Sequence, residues 1–133
     1  RGIPVGNQSV LLAGVNDTAE RLKALVEGLV QMRVRPYYLY QGQTVEGTAH
    51  LRVPIEKGLD LMRSLRGHTT GFAVPQYVLD TPTGKIPLSP NHILGRDGDD
   101  VVLLDLKKKP WRENNPLGDY VTAHPFLQVS IPD

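Results

Sequence analysis

A chain of 133 residues is long enough for one domain with a single core. Its 40% apolar and 22% charged residues are ordinary for a soluble globular protein, and a net charge of +1 gives no electrostatic reason to invoke nucleic acid or a membrane surface as partner. The absence of cysteine excludes disulfides, thiolate metal sites and a cysteine nucleophile within the chain.

No apolar run approaches the ~20 residues of a membrane-spanning helix, and nothing at Arg1 onward resembles a signal peptide, so the cytoplasm is the expected compartment. Ser9-Val10-Leu11-Leu12-Ala13 is a short apolar run between Gly6-Asn7 and Gly14. Its continuous hydrophobicity predicts a strand buried on both faces, as in a parallel sheet. Asn16, Asp17 and Thr18 carry side-chain oxygens that accept the orphan amide protons of a helix start. Leu22, Leu25, Val26, Leu29 and Val30 follow at helical spacing, which predicts a helix from about Thr18 to about Met32. The aromatic run Val34 to Tyr40 predicts a second strand, with Pro36 near its beginning because proline has no amide to give a sheet.

Pro54 suits the first turn of a second helix, where a missing N–H costs nothing. Ile55, Leu59 and Met62 continue one face of it, and Gly67 ends it. A third strand, about Gly71 to Leu79, leads into the turn-rich stretch Asp80-Thr81-Pro82-Thr83-Gly84-Lys85. Strand, helix, strand, helix, strand is the order of parallel βαβ units, so the fold class is α/β. Beyond Pro90 the pattern thins. Val101 to Leu104 reads as one more strand after the Arg96-Asp97-Gly98-Asp99-Asp100 turn, and from Lys107 onward an extended arm is expected, its three lysines solvated. The chain opens at Arg1 directly onto a strand-like segment, and a three-strand piece leaves open edges. Both features fit a longer natural polypeptide supplying strands N-terminal to Arg1.

Parallel α/β proteins build their sites at the C-terminal ends of strands. Here those ends carry Ala13 to Asn16, Tyr40 to Gln43, and Asp80 to Lys85. Gln8 joins them only if the first strand starts earlier than its apolar run. Lys85 stands just past a strand, and a lysine amine beside a pocket could form a Schiff base. By position alone, however, Lys85 reads as a solvated loop lysine, Asp80 as a turn cap, and Gln8 and Gln43 as surface or backbone-bonding amides. His50, His68, His92 and His124 lack metal-ligand spacing and read as structural or exposed.

An ordered series of stretches resembles the lysine 2,3-aminomutase family. The series runs Gly2-Ile3-Pro4-Val5-Gly6-Asn7-Gln8-Ser9-Val10-Leu11-Leu12, Gly14-Val15-Asn16-Asp17 and Arg33-Val34-Arg35-Pro36-Tyr37-Tyr38-Leu39-Tyr40-Gln41. It continues through Glu46-Gly47-Thr48-Ala49-His50-Leu51-Arg52, Leu65-Arg66-Gly67-His68-Thr69-Thr70-Gly71 and Gly84-Lys85-Ile86-Pro87. The resemblance covers roughly residues 1 to 95. It implies residues 1–90 as the C-terminal part of a partial (β/α) radical-SAM barrel with a lysine loop, and residues 91–133 as a C-terminal strand and arm. Such enzymes use S-adenosylmethionine and a [4Fe-4S] cluster to make a 5′-deoxyadenosyl radical, while pyridoxal phosphate carries the amino group from C2 to C3 of an amino acid.

On this resemblance Lys85 is the lysine that holds pyridoxal phosphate, which reverses the reading from position alone. Gln8 falls near the S-adenosylmethionine site, and Tyr40 beside the cofactors. Asp80 matches one of two aspartates that hold the distal ammonium of lysine, but Gln43 takes the place of the other. A neutral amide supplies no charge there, so lysine binding should weaken or the substrate differ. The family's zinc cysteine is replaced by Thr18, so no zinc site is expected. The CxxxCxxC cluster motif is absent, which implies a chain inactive by itself and a homo-oligomer only as the complete enzyme. The competing readings are a non-catalytic α/β piece with a packing or oligomerisation role, and another pyridoxal-phosphate protein sharing this edge of a barrel.

Overall fold

The computed structural model describes residues 3–43 and 47–131. Gly2 and Glu46 of the family-like stretches lie outside the described residues. The first part of the chain forms β1 (Val5–Val10), α1 (Ala19–Gln31), β2 (Val34–Tyr40), α2 (Ile55–Leu65), β3 (Gln76–Thr81) and β4 (Gly84–Pro87). These four strands make one sheet in the order β1-β2-β3-β4, the first three parallel and β4 antiparallel to β3. A second sheet, the antiparallel meander β5 (Ile93–Asp97), β6 (Asp100–Leu104) and β7 (Pro110–Asn114), follows. The α/β class and the parallel βαβαβ order agree with the expectation from sequence.

Both helices form where the periodicity placed them. Thr18 is extended and its hydroxyl accepts the Arg21 amide at 3.2 Å, which caps α1. Leu22 and Val26 of α1, with Ile55, Leu61, Met62 and Leu65 of α2, pack against Leu39, Tyr77, Leu79 and Ile86 of the sheet. Burying each such Leu, Ile or Met fully is worth ~1.5–3 kcal/mol, so this face holds the helices in place. Val101 and Leu103 of β6 join the same core, so the two sheets share one apolar interior.

Four expectations are corrected. β1 is not the apolar run from Ser9 to Ala13 but the more polar Val5–Val10. The helix side of β1 is only partly buried and Leu11, fully buried, follows the strand, so the apolar run marks the turn into the core. The third strand starts at Gln76 rather than Gly71, because a single 3-10 turn (Gly71–Ala73) and Pro75 precede it. Lys85 is not in a loop. Thr81 to Gly84 close a tight hairpin, with Thr81 Oγ1 donating to the Gly84 carbonyl at 2.7 Å, and Lys85 is a residue of β4. Finally, β7 lies inside the segment expected to be an arm, and β5 was not foreseen.

Beyond β7 the tail returns to the sheet edge. The Arg96 amide donates to the Leu127 carbonyl and the Val129 amide to the Arg96 carbonyl, both at 2.8 Å. Gly95 makes this approach possible, since a Cβ there would stand 2.4 Å from the Leu127 carbonyl oxygen. Beneath it, Glu56, Arg96 and Asn115 form a buried polar cluster. Arg96 Nη2 and Nε donate to Glu56 Oε2 at 2.7 and 3.0 Å, and Asn115 Nδ2 donates to Glu56 Oε1 at 2.6 Å. Asn115 Oδ1 accepts the Ile55 amide at 2.7 Å, so the end of β7 caps the start of α2.

Candidate functional site

Successive side chains in a strand point to opposite faces, and directly paired residues share a face. Gln8 pairs with Tyr38, Val10 with Tyr40, Tyr38 with Gln76, Tyr40 with Val78, and Asp80 with Lys85. All of these therefore stand on the sheet face away from the helices. Leu39, Tyr77, Leu79 and Ile86 take the other face and are buried. Because β1 begins at Val5, Gln8 lies within it and joins this open face.

A cavity of about 470 Å³ opens where β1, β2 and β3 end, within the range of small-molecule sites. Gln8, Tyr40, Gln43 and Asp80 line it, together with Gln41, Thr48, Leu51 and Arg52, which sequence reasoning did not single out. The Tyr40 hydroxyl donates to Gln8 Oε1 at 3.1 Å, joining β1 and β2 across the mouth. Gln43 Nε2 donates to the Asp80 main-chain carbonyl at 3.4 Å, so its amide is tied to the strand while the exposed Asp80 keeps its carboxylate for other partners. Gln41 is buried: its Nε2 donates to the Val53 carbonyl at 2.5 Å and its Oε1 accepts the Tyr77 hydroxyl. This pins the end of β2 to the segment that enters α2.

The polar residues after β1 do different work from that expected. Asn16 Oδ1 accepts the Leu12 amide at 2.8 Å and its Nδ2 donates to the Val10 carbonyl at 3.0 Å, which builds the turn. Asp17 accepts the Gly14 amide at 3.0 Å and pairs with Lys57 at 2.8 Å. Burial alone would raise the Asp17 carboxyl, but the hydrogen bond and charge of Lys57 and the Gly14 amide outweigh it and hold Asp17 below the usual carboxylate range.

Lys85 is exposed on the open face but lines a different hollow, of about 280 Å³, with Asn91, His92, Asp105 and Lys108. Its Nζ stands 6.0 Å from the centre of the Tyr38 ring. The structure thus gathers Gln8, Tyr40, Gln43 and Asp80 at one cavity and sets Lys85 beside Asp80 on the same face, at the cavity's flank. Tyr38 escaped sequence reasoning, although strand alternation from Tyr40 was a signal for it. Among the described residues no group of His, Asp or Glu is placed to hold a metal ion, and no helix is long and apolar enough to cross a membrane.

Helices on one face of a parallel sheet, with amine, carboxylate and carboxamide groups on the other, define an α/β protein with a polar ligand site at its strand ends. A protein-family model described as Lysine-2,3-aminomutase matches residues 62–108. The chain is 52% identical over 104 residues to L-lysine 2,3-aminomutase of Bacillus subtilis (strain 168), covering 77% of this chain and 22% of that protein. It is 45% identical over 125 residues to L-lysine 2,3-aminomutase of Acetoanaerobium sticklandii, covering 92% and 30%. It is 40% identical over 104 residues to glutamate 2,3-aminomutase of Clostridioides difficile, covering 77% and 25%. The chain belongs to the lysine 2,3-aminomutase family, as its C-terminal part. It spans between 22% and 30% of the length of these relatives.

Proposed function

We propose that this chain completes the active site of a radical-SAM, pyridoxal-phosphate-dependent amino-acid 2,3-aminomutase. One observation carries the reading: the Asp80 carboxylate and the Gln8, Tyr40 and Gln43 groups line one ligand-sized cavity, and the Lys85 amine is paired with Asp80 on the same sheet face at the cavity's flank. Within that reading, residues 1–90 form one side of a (β/α) barrel whose interior is this face, and residues 91–133 are a strand and arm packed against it. The outer edge of β1 pairs with nothing among the described residues and would continue the sheet.

The residues present fit pyridoxal phosphate in one decisive respect: Lys85 offers an exposed primary amine beside an aromatic ring and a cavity. When bound, the cofactors supply an electrophilic aldehyde on a conjugated ring and, from S-adenosylmethionine with a [4Fe-4S] cluster, a radical initiator. Lys85 would hold the cofactor through that aldehyde, because a primary amine condenses with aldehydes reversibly. Gln8 and Tyr40, locked to each other, form the wall on which S-adenosylmethionine is oriented. Asp80 offers a negative charge to the distal end of the substrate, and Gln43 offers a carbonyl oxygen without charge. The cluster cysteines would come from outside this chain, which has none, so this chain by itself would be inactive.

The test uses the intact aminomutase polypeptide titrated with pyridoxal phosphate. An absorbance band near the visible edge is expected, and borohydride should fix the cofactor to the peptide that contains Lys85. Lys85→Ala should abolish both signals. A band that survives in Lys85→Ala would remove Lys85 from this role, and no band in the unaltered protein would favour the non-catalytic reading.

Substrate choice turns on Gln43. The relatives named above act on lysine or on glutamate, and a single carboxylate at the distal end is a weaker lysine signal than two. Charge-assisted hydrogen bonds contribute roughly 1 kcal/mol more than neutral ones, so Gln43→Asp should raise kcat/KM for lysine by about fivefold. Unchanged or lower lysine turnover would take Gln43 out of substrate recognition.

A further inference from the structure

β2 carries a tyrosine at 37, 38 and 40, and alternation alone puts Tyr38 on the same face as Tyr40. A bulge lies just before Tyr38, between β1 and β2. Asn7 pairs with Pro36 but the next residue, Gln8, pairs with Tyr38, so Tyr37 is the extra residue. Past the bulge Tyr38 stands on the open face, where it shares a side with Tyr40 and Lys85. The Tyr37 and Tyr38 rings then lie 4.3 Å apart and the Tyr38 and Tyr40 rings 5.7 Å apart, a continuous aromatic strip. Lys85 Nζ sits over the Tyr38 ring at 6.0 Å, at the limit of a cation–π contact.

We propose that Tyr38 is a positioning residue for cofactor capture: its ring supports the Lys85 amine and gives the flat ring carried by that amine a surface to stack on. The proposal rests on the reading of Lys85 as the pyridoxal-phosphate lysine. The requirement is the ring, not the hydroxyl. The arrangement serves this role: the Tyr37 and Tyr40 rings both pack against the Tyr38 ring, and the Asp80–Lys85 pairing fixes the lysine across the sheet. Aliphatic side chains on this face would fill space but offer neither a π surface for the amine nor a stacking plane.

The experiment compares the intact polypeptide with its Tyr38→Phe, Tyr38→Leu, Tyr38→Ile and Lys85→Ala variants. Each is titrated with pyridoxal phosphate, following the absorbance band and the visible circular dichroism that a ring bound in a fixed orientation acquires. Tyr38→Phe should bind within about twofold of the unaltered protein. The two ringless variants should bind about three- to tenfold more weakly and lose most of the visible dichroism, with unfolding midpoints close to the unaltered protein's. Should Tyr38→Leu fail to fold, the β-branched Tyr38→Ile carries the comparison. Ringless variants that bind with unaltered affinity and dichroism would overturn the Tyr38 role while leaving Lys85 in place. So would a Tyr38→Phe as weak as they are. An unaltered protein with no Lys85-dependent band would overturn the Lys85 reading, and this role with it.

Discussion

Replacing Arg96 with methionine should destabilise the chain by about 3–5 kcal/mol, a large share of the ~5–15 kcal/mol that holds a typical domain together. The physical reason is what the substitution leaves behind. The Glu56 side chain is 1% exposed, and two of its three side-chain hydrogen bonds come from Arg96. Without the guanidinium a buried carboxylate faces Asn115 alone, and the Asn115 carbonyl also loses its donor. Methionine fills the volume of the arginine stem but supplies neither charge nor proton. Urea unfolding followed by the fluorescence of Trp111, which lies on β7 next to the affected edge, would measure the loss. The double variant Arg96→Met/Glu56→Leu should be less destabilised than Arg96→Met, since it removes the orphaned charge together with its partner. If the single variant loses less than 1 kcal/mol, or the double variant is the worse of the two, the pair is not the clamp described here.

The clamp bears on the site as well as on stability. Asn115 holds the first amide of α2, and Arg52, three residues earlier, donates to the Asn114 carbonyl and Oδ1 at 3.4 Å each. The same segment is tied to β2 by Gln41 and to the turn after β1 by the hydrogen bond from the Ala13 amide to the Leu51 carbonyl at 2.8 Å. Residues 51 and 52 line the large cavity, so its wall is fixed from three directions, one of them the second sheet. Sheet, helix and meander thus form one mechanical unit around the open face.

How much of this was legible in the sequence depends on which force shaped each element. The helices were legible because a helix that covers a sheet must carry an apolar stripe, and Leu22, Val26 and Leu29 announce it. β1 was misplaced because polar residues, Asn7, Gln8 and Ser9, run through its middle. Gln8 interrupts the apolar pattern, and the true apolar run at Leu11 is the turn into the core. β4 was invisible because four residues that include Lys85 and Pro87 carry no periodicity, and the Thr81–Gly84 hairpin looks like loop composition. The Glu56–Arg96 pair had no local signal at all, since its partners are 40 residues apart and each looks like an ordinary surface charge. Tyr38 shares a face with Tyr40 by their spacing of two, which was legible, but its closeness to Lys85 was not, because it depends on β4 folding back along β3. Family resemblance recovered Lys85, Asp80, Gln8, Gln43 and Tyr40 as candidates. The strand register then placed Gln8, Tyr40, Asp80 and Lys85 on one face, and Gln43 lines the same cavity as the first three.

The last expectation concerns a glycine that composition alone would mark for improvement. Gly58 lies within α2, where alanine normally stabilises by about 1 kcal/mol through backbone entropy. Here the sign should reverse. A Cβ at Gly58 would stand 2.0 Å from the Tyr77 hydroxyl oxygen and 2.3 Å from its Cζ. The Tyr77 ring cannot swing aside freely, because it is 4% exposed and its hydroxyl is bonded to the buried Gln41. Burial, with the nearby charge of Glu56, pushes the Tyr77 phenol well above its ordinary range, so it remains a neutral donor in that bond. Making room costs ~1–3 kcal/mol of overpacking, and breaking the bond leaves a buried amide oxygen short of a partner for about 1–3 kcal/mol more. Gly58→Ala should therefore lose about 2–4 kcal/mol in urea unfolding, against a gain if helix propensity ruled. Truncating the obstacle should restore much of it, so Gly58→Ala/Tyr77→Leu should show a favourable coupling of more than ~1 kcal/mol in a double-mutant cycle. A neutral or stabilising Gly58→Ala would mean that α2 is not pressed against β3 through Tyr77. The cavity wall would then lose its anchor, because Tyr77, Gln41 and Val53 are the path by which that helix fixes the end of β2.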